Sequence, residues 1–143
     1  MSLADSALFN EAQKTSLTVT LRMLEEEILL LKRLLQGGRP QSIMFRYEDD
    51  IEPQKRQVIL ERLEEVLKTI REMQDKFELP VKITKQSCLI EAFLGSFWAL
   101  LYEEKAAQLN RYGPVNPLLY KELDPFIDRL LFDLKQIEKL KNR

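Results

Sequence analysis

Acidic residues are the side chains in this sequence whose types and spacing best match a known chemistry. Glu61 and Glu64 stand three positions apart, and Glu72 and Asp75 repeat that spacing further along the chain. Residues three apart lie on the same side of a helix, and carboxylate oxygens are the ligands that Mg²⁺ prefers. The pattern raises the hypothesis of a carboxylate-dependent enzyme that uses Mg²⁺ or binds a small molecule.

The paired spacing resembles the acidic magnesium sites of the all-α nucleoside-triphosphate pyrophosphohydrolases. In that family the two halves of the site come from different helices, so their carboxylates converge on shared Mg²⁺ ions. Here seven residues separate Glu64 from Glu72 within one predicted helix, which places the halves more than about 10 Å apart. Arg62, Lys68 and Arg71 lie among them, and pairs such as Glu64 with Lys68 are typical of an exposed face. We therefore expect no metal site and no cofactor.

The composition excludes several other kinds of site. The chain of 143 residues contains no histidine, which excludes histidine general bases, histidine-bearing triads and histidine-ligated metals. A single cysteine, Cys88, forms neither an internal disulfide nor a multi-cysteine metal site. Its apolar neighbours favour a buried, unreactive thiol. We expect a protein of the reducing cytoplasm.

Charge and hydropathy bear on nucleic acids and membranes. The 22 basic and 23 acidic residues give a formal net charge of −1, so there is no strong nucleic-acid signal. The opening residues, MSLADSALFNEAQK, lack the basic and apolar regions of a secretory signal. The longest apolar block, residues 88–102, is shorter than the ~20 residues of a membrane span and contains Glu91. We expect a soluble protein with no membrane partner.

Hydrophobic periodicity predicts four helical segments. Apolar residues recur at spacings of four and three, and pairs of glycine, proline or asparagine mark the helix ends. Ser2 to Asp5 resembles a capping box, and the hydroxyl-rich stretch Thr15–Thr20 weakens the first helix or bends it. The predicted helices cover about residues 5–36, 53–79, 84–112 and 116–143, the last with a restart at 124.

The predicted fold is all-α. Helices of similar length joined by short connections are typical of an up-and-down four-helix bundle, and the chain has the length of a single domain, residues 1–143. The exception is the long connection between helices 1 and 2, from Gly37 to Glu52. We expect one helical-bundle domain with this long connection.

Two interpretations of the long connection stay open. Ile43, Phe45 and Tyr47 alternate with other residues, which predicts an extended segment. With basic and acidic residues around them, Phe45 and Tyr47 are candidates for partner binding in an exposed recognition loop. Alternatively, Ile43 and Phe45 seal one side of the core.

The third predicted helix has more apolar surface than one stripe requires. Residues 88–102 read CLIEAFLGSFWALLY, in which twelve of fifteen positions are apolar. A helix that is hydrophobic all round is either enclosed by neighbours or covered by a partner. Aromatic residues dominate interface hot spots, so the candidate partner-binding residues are Phe97, Trp98, Leu101 and Tyr102.

Glu91 is the candidate buried carboxylate of this helix. It stands alone among apolar residues and on the same helical side as Leu94 and Trp98. A carboxylate enclosed in this way is a candidate general acid or base, or a ligand-binding group. The alternatives are access to water near the helix start, or pairing with a basic residue of another helix.

The leading hypothesis is a non-enzymatic helical interaction protein: a small subunit, an adaptor or a homodimer that docks through its helix faces. We expect a protein partner or self-association. A helical subunit of a nucleic-acid-processing assembly is a further alternative, which needs a local basic face that the linear sequence does not show.

Overall fold

The structure is a computed structural model that describes residues 8–37 and 42–141. Within these residues the regular structure is helical and no β-strand occurs, so the all-α prediction is confirmed. A 3₁₀ turn covers Asn110–Tyr112. The helices are α1 (Glu11–Leu35), α2 (Pro53–Phe77), α3 (Gln86–Tyr102), α4 (Ala106–Leu109), α5 (Leu118–Glu122) and α6 (Asp124–Lys141).

The chain divides into two compact units, Met1–Val81 and Lys82–Arg143. The first unit is a pair formed by α1 and α2, which are antiparallel because Lys32 pairs with Glu64 while the earlier Arg22 contacts the later Pro80. The second unit is built on contacts between α3 and α6. The up-and-down four-helix bundle and the single domain stay predictions. None of the helices in the described ranges is long and apolar enough to cross a membrane.

The start of α1 is fixed by local hydrogen bonds. The Asn10 side chain accepts from the Gln13 amide at 2.8 Å, and the Gln13 side chain accepts from the Asn10 amide at 3.0 Å. This reciprocal capping box starts the helix later than predicted; the predicted box at residues 2–5 lies outside the described residues. The helix is continuous through the hydroxyl-rich stretch, where the Thr18 hydroxyl donates to the Lys14 carbonyl at 2.7 Å.

The end of α2 is anchored on α1. Glu78 adopts the left-handed conformation with φ 52°, and the Leu79 amide donates to the Gln74 carbonyl at 3.1 Å. Leu79 is buried, and the Arg22 guanidinium of α1 donates to the Pro80 carbonyl at 2.9 Å. The predicted start at proline and the predicted end near Leu79 are both confirmed.

The third predicted helix, residues 84–112, is interrupted. The α3 helix ends at Tyr102, a turn follows at residues 103–105, and α4 and the 3₁₀ turn complete the segment before Gly113. The prediction of one continuous helix is therefore wrong. Local propensity did not indicate the break, because the sequence there contains neither glycine nor proline.

The break is stabilised by the first turn of α6. The fully buried Ala106 donates its amide to Asp124 Oδ1 at 2.8 Å. Lys105 Nζ donates to Asp128 Oδ1 at 2.8 Å, and this hydrogen bond raises the pKa of Lys105 above its ordinary value. A distant carboxylate thus satisfies an amide at the start of α4 that a continuous helix would have bonded internally.

We expect Asp124→Ala to lower the free energy of unfolding of the second unit by about 1–3 kcal/mol, because it leaves the buried Ala106 amide without an acceptor. Asp124→Asn keeps a side-chain oxygen and should retain most of that stability. The control is Lys139→Ala, an exposed position later in α6 that lies outside the apolar face. Urea unfolding followed by circular dichroism measures the effect; equal stability of Asp124→Ala and wild type would contradict the role of this contact.

The left-handed position at the end of α2 gives a second test. Glycine adopts a positive φ without the clash that a β-carbon causes, so Glu78→Gly should raise the free energy of unfolding by about 1 kcal/mol. Gly37→Ala should lower the free energy of unfolding by a similar amount, because Gly37 has φ 80°. An added β-carbon meets no atom within 4 Å, so the loss reports the backbone conformation alone. Thermal unfolding monitored by circular dichroism should give shifts of opposite sign for the two variants.

Candidate interaction surface

The α3 and α6 helices of the second unit run antiparallel. At one end Lys105, just after α3, pairs with Asp128 of α6. At the other end Glu91 Oε2 of α3 lies 3.8 Å from Lys141 Nζ near the end of α6. The order of these contacts is reversed along the two helices, so the helices lie side by side over most of their lengths.

A narrow line of side chains fills the contact between the two helices. Leu94 of α3 is buried, as are Ile127 and Leu131 of α6. Leu101, two turns after Leu94, is half-buried. Because each helix of the pair has one long neighbour, only this stripe is enclosed.

Helical geometry places the remaining α3 residues on two flanks of the contact line. Successive residues of a helix are about 100° apart. Counted from Leu94, Phe93 and Phe97 turn to one flank, while Trp98 and Tyr102 turn to the other. The four predicted contact positions of α3 therefore do not form one surface.

The Trp98 flank borders an open groove of about 470 Å³ between α3 and α6. The charged residues of this groove occur in pairs of opposite sign. Glu91 lies 3.8 Å from Lys141, and Lys135 lies 3.9 Å from Glu138. We call this the charged side of the helix pair.

Glu91 is a correction to the sequence prediction. Its side chain is 72% exposed, so it is not the buried carboxylate that its apolar neighbours suggested. The reason is that Glu91 lies at the margin of the contact line, where the groove is open to solvent and Lys141 supplies a basic partner. One of the predicted alternatives, pairing with a basic residue of another helix, is the observed arrangement.

The opposite flanks form a surface that we call the apolar face. Because Trp98 of α3 and Lys135 of α6 border the same groove, the residues on their opposite flanks share the other side of the pair. All of these side chains are between 37% and 58% exposed. The apolar face consists of Leu89, Ile90, Phe93, Phe97, Leu100, Phe126, Leu130 and Ile137.

Aromatic rings lie along the apolar face instead of inserting into a core. The ring centroids of Phe93 and Phe97 are 5.3 Å apart with an interplanar angle of 42°. The Arg129 guanidinium lies 5.4 Å from the ring centroid of Phe126. These contacts are within or beside the face, and the three phenylalanine residues remain 44–58% exposed.

Among the predicted partner-binding residues of α3, only Phe97 belongs to the apolar face, and it is 47% exposed. Trp98 and Tyr102, 40% and 49% exposed, lie on the charged side. Leu101 is half-buried in the contact line. Sequence reasoning missed Phe93, although the spacing 89, 93, 97 and 100 marks a second apolar stripe on α3.

In the first unit, Phe45 and Tyr47 of the long connection are both exposed. Their rings are stacked, with centroids 6.2 Å apart and an interplanar angle of 20°. The connection is non-helical over residues 42–52, and Arg56 holds it by pairing with Asp49 and donating to the Ile51 carbonyl at 3.0 Å.

Tyr47 lines an open, largely apolar groove of about 620 Å³ between α1 and α2. The groove is bounded by Leu24 and Leu31 of α1 and by Leu63 and Val66 of α2. Tyr47 therefore lies against the helix pair, while Ile43 is almost fully exposed. The interpretation in which Ile43 and Phe45 seal the core is wrong for this unit, since both side chains are exposed.

The paired carboxylates of α2 lie on its exposed surface. Glu64 forms an ion pair with Lys32 of α1, and Glu61 accepts from the Gln57 side chain at 3.4 Å. Over residues 8–37 and 42–141, no group of three or more acidic or cysteine side chains is placed to hold a metal ion. The spacing thus marks a solvated helix face.

Cys88 is exposed, so the prediction of a buried thiol is wrong. It lies in the first turn of α3, on the flank that turns away from the apolar face. We expect the thiol of the native protein to react with a disulfide reagent at a rate within about threefold of the urea-unfolded chain. A native rate more than a hundredfold slower, measured by absorbance, would contradict this exposure.

Comparisons with protein-family models, with curated proteins and with solved structures gave no match to this chain.

Proposed function

We propose that this chain is a non-enzymatic interaction protein that docks on another protein chain through the apolar face of α3 and α6. The supporting observation is that eight large apolar side chains, each at least 37% exposed, fall on the same side of the helix pair when helical spacing is counted from the buried contact line. Monomeric proteins rarely expose contiguous apolar patches larger than a few hundred Å². A patch that spans two helices is typical of a protein-binding site.

The composition of the face supports a protein partner. Phe93, Phe97 and Phe126 supply aromatic side chains, which are enriched at interfaces and their hot spots. The only charged residue of α3, Glu91, lies on the other side of the helix pair. A partner can thus cover the α3 half of the face without desolvating a charge.

The same observations do not favour the alternatives. A nucleic acid is recognised by a basic field around aromatic residues, whereas α3 carries no basic residue. A carboxylate-dependent enzyme needs converging acidic groups, whereas Glu64 pairs with Lys32 on the surface of the first unit. Neither receives support from the described residues.

The sequence predicts a four-helix bundle within one chain, whereas in this proposal the partner supplies the second helix pair. An antiparallel helix pair with one apolar face is half of an up-and-down bundle, and it gains stability when a second pair covers that face. A cytoplasmic location is also part of the proposal, since a lone exposed cysteine suits a reducing compartment.

Phe97→Glu should reduce the amount of protein captured with the tagged chain about tenfold or more, because it places a charge at the centre of the apolar face. The matched control is Ala99→Glu, an exposed position on the same helix but on its outer side. Capture from native lysate, with and without nuclease, followed by mass spectrometry and light scattering, measures the retained protein. The captured protein can also be an untagged copy of the same chain.

Wild type and Ala99→Glu should retain a stoichiometric protein that survives nuclease, and Phe97→Glu should lose it. A partner released by nuclease would contradict the proposal. So would equal capture by all three chains.

A further inference from the structure

The apolar face is continuous across two helices and nearly free of charge, which limits the surfaces that can cover it. We propose that its occupant is the same face of a second copy of this chain, which makes the protein an isologous homodimer. The inference rests on the proposed function, since it names the partner of the site already described.

The size of the face is the first argument. The exposed fractions of its eight side chains correspond to roughly 700 Å² of apolar surface in each copy. A stable protein interface of standard size takes about 800 Å² from each partner. The apolar face alone therefore supplies most of the area that a standard dimer interface takes from each copy.

Self-complementarity is the second argument. In an isologous dimer a patch contacts an identical patch, so a face with one sign of charge would repel its own copy. The α3 half of the face carries no charge. The margin on α6 carries Arg129 beside the Phe126 ring and Asp133 one turn later. Their opposite signs allow two such margins to meet without net repulsion.

The direction of the helices is the third argument. Apolar residues follow spacings of three and four along α3 and α6, which is the pattern that interlocks when helices pack at small crossing angles. Two antiparallel pairs placed face to face form a four-helix arrangement in which neighbouring helices alternate in direction. A two-fold axis between the faces generates this arrangement from one chain.

The test measures the mass of the purified full chain over a range of concentrations by light scattering and sedimentation. We expect a species of twice 16.9 kDa for wild type. Phe97→Glu on α3 and Leu130→Glu on α6 should each raise the dimer dissociation constant about tenfold or more. Ala99→Glu should change it less than about threefold, and circular dichroism should show equal helix content in all four proteins.

A second measurement does not depend on charged variants. In a Cys88→Ser background, a cysteine introduced by Leu130→Cys should react with a maleimide more slowly as the protein concentration rises, since dimerisation covers it. A cysteine introduced by Ala99→Cys in the same background should react at a constant rate. A Leu130→Cys rate that is independent of concentration in a dimeric sample would overturn the proposal.

Two monomeric outcomes separate this inference from the proposed function. A chain that stays monomeric with a fully reactive cysteine introduced by Phe97→Cys would overturn the homodimer and leave the face open for a different protein. A monomeric chain in which that cysteine is protected would overturn both proposals.

A dimer that survives Phe97→Glu and Leu130→Glu unchanged would overturn the assignment of this face.

Discussion

The antiparallel contact between α3 and α6 determines which apolar side chains of the second unit are enclosed and which are left exposed. A helix that meets a single long neighbour buries one stripe, here the stripe that contains Leu94. The α3 sequence is apolar on nearly every side, so the residues beyond that stripe remain exposed. The apolar face is the direct result of this mismatch between composition and the number of neighbours.

A small polar contact sets the length of this helix pair. Asp124 accepts from the Ala106 amide, and Asp128 accepts from Lys105, so the first two turns of α6 hold the chain where α3 ends. Had the helix continued to residue 112, this amide would have been bonded within the helix. Two carboxylates therefore fix both the turn and the extent of the apolar face.

Regular spacing identifies which residues share a helix side but not what that side meets. Glu61 and Glu64 stand at a spacing that suits metal binding, yet Glu64 pairs with Lys32 on an exposed face. Phe97 and Trp98 are neighbours in sequence, yet they lie on opposite flanks of α3 and belong to different surfaces. A chemical hypothesis based on spacing needs the position of the second helix before it can be judged.

The sequence by itself determined the helical class, the apolar surplus of α3 and the helix ends that depend on local hydrogen bonds or backbone geometry. Pro53 begins α2, the Asn116 side chain accepts from the Leu118 amide where α5 begins, and Gly37 ends α1, because each effect acts within a few residues. Only the tertiary structure decided that Glu91 is exposed and that the third predicted helix is broken. Both depend on α6, whose contacting residues are 18 or more positions away, and a local pattern contains no information about where such a residue lies.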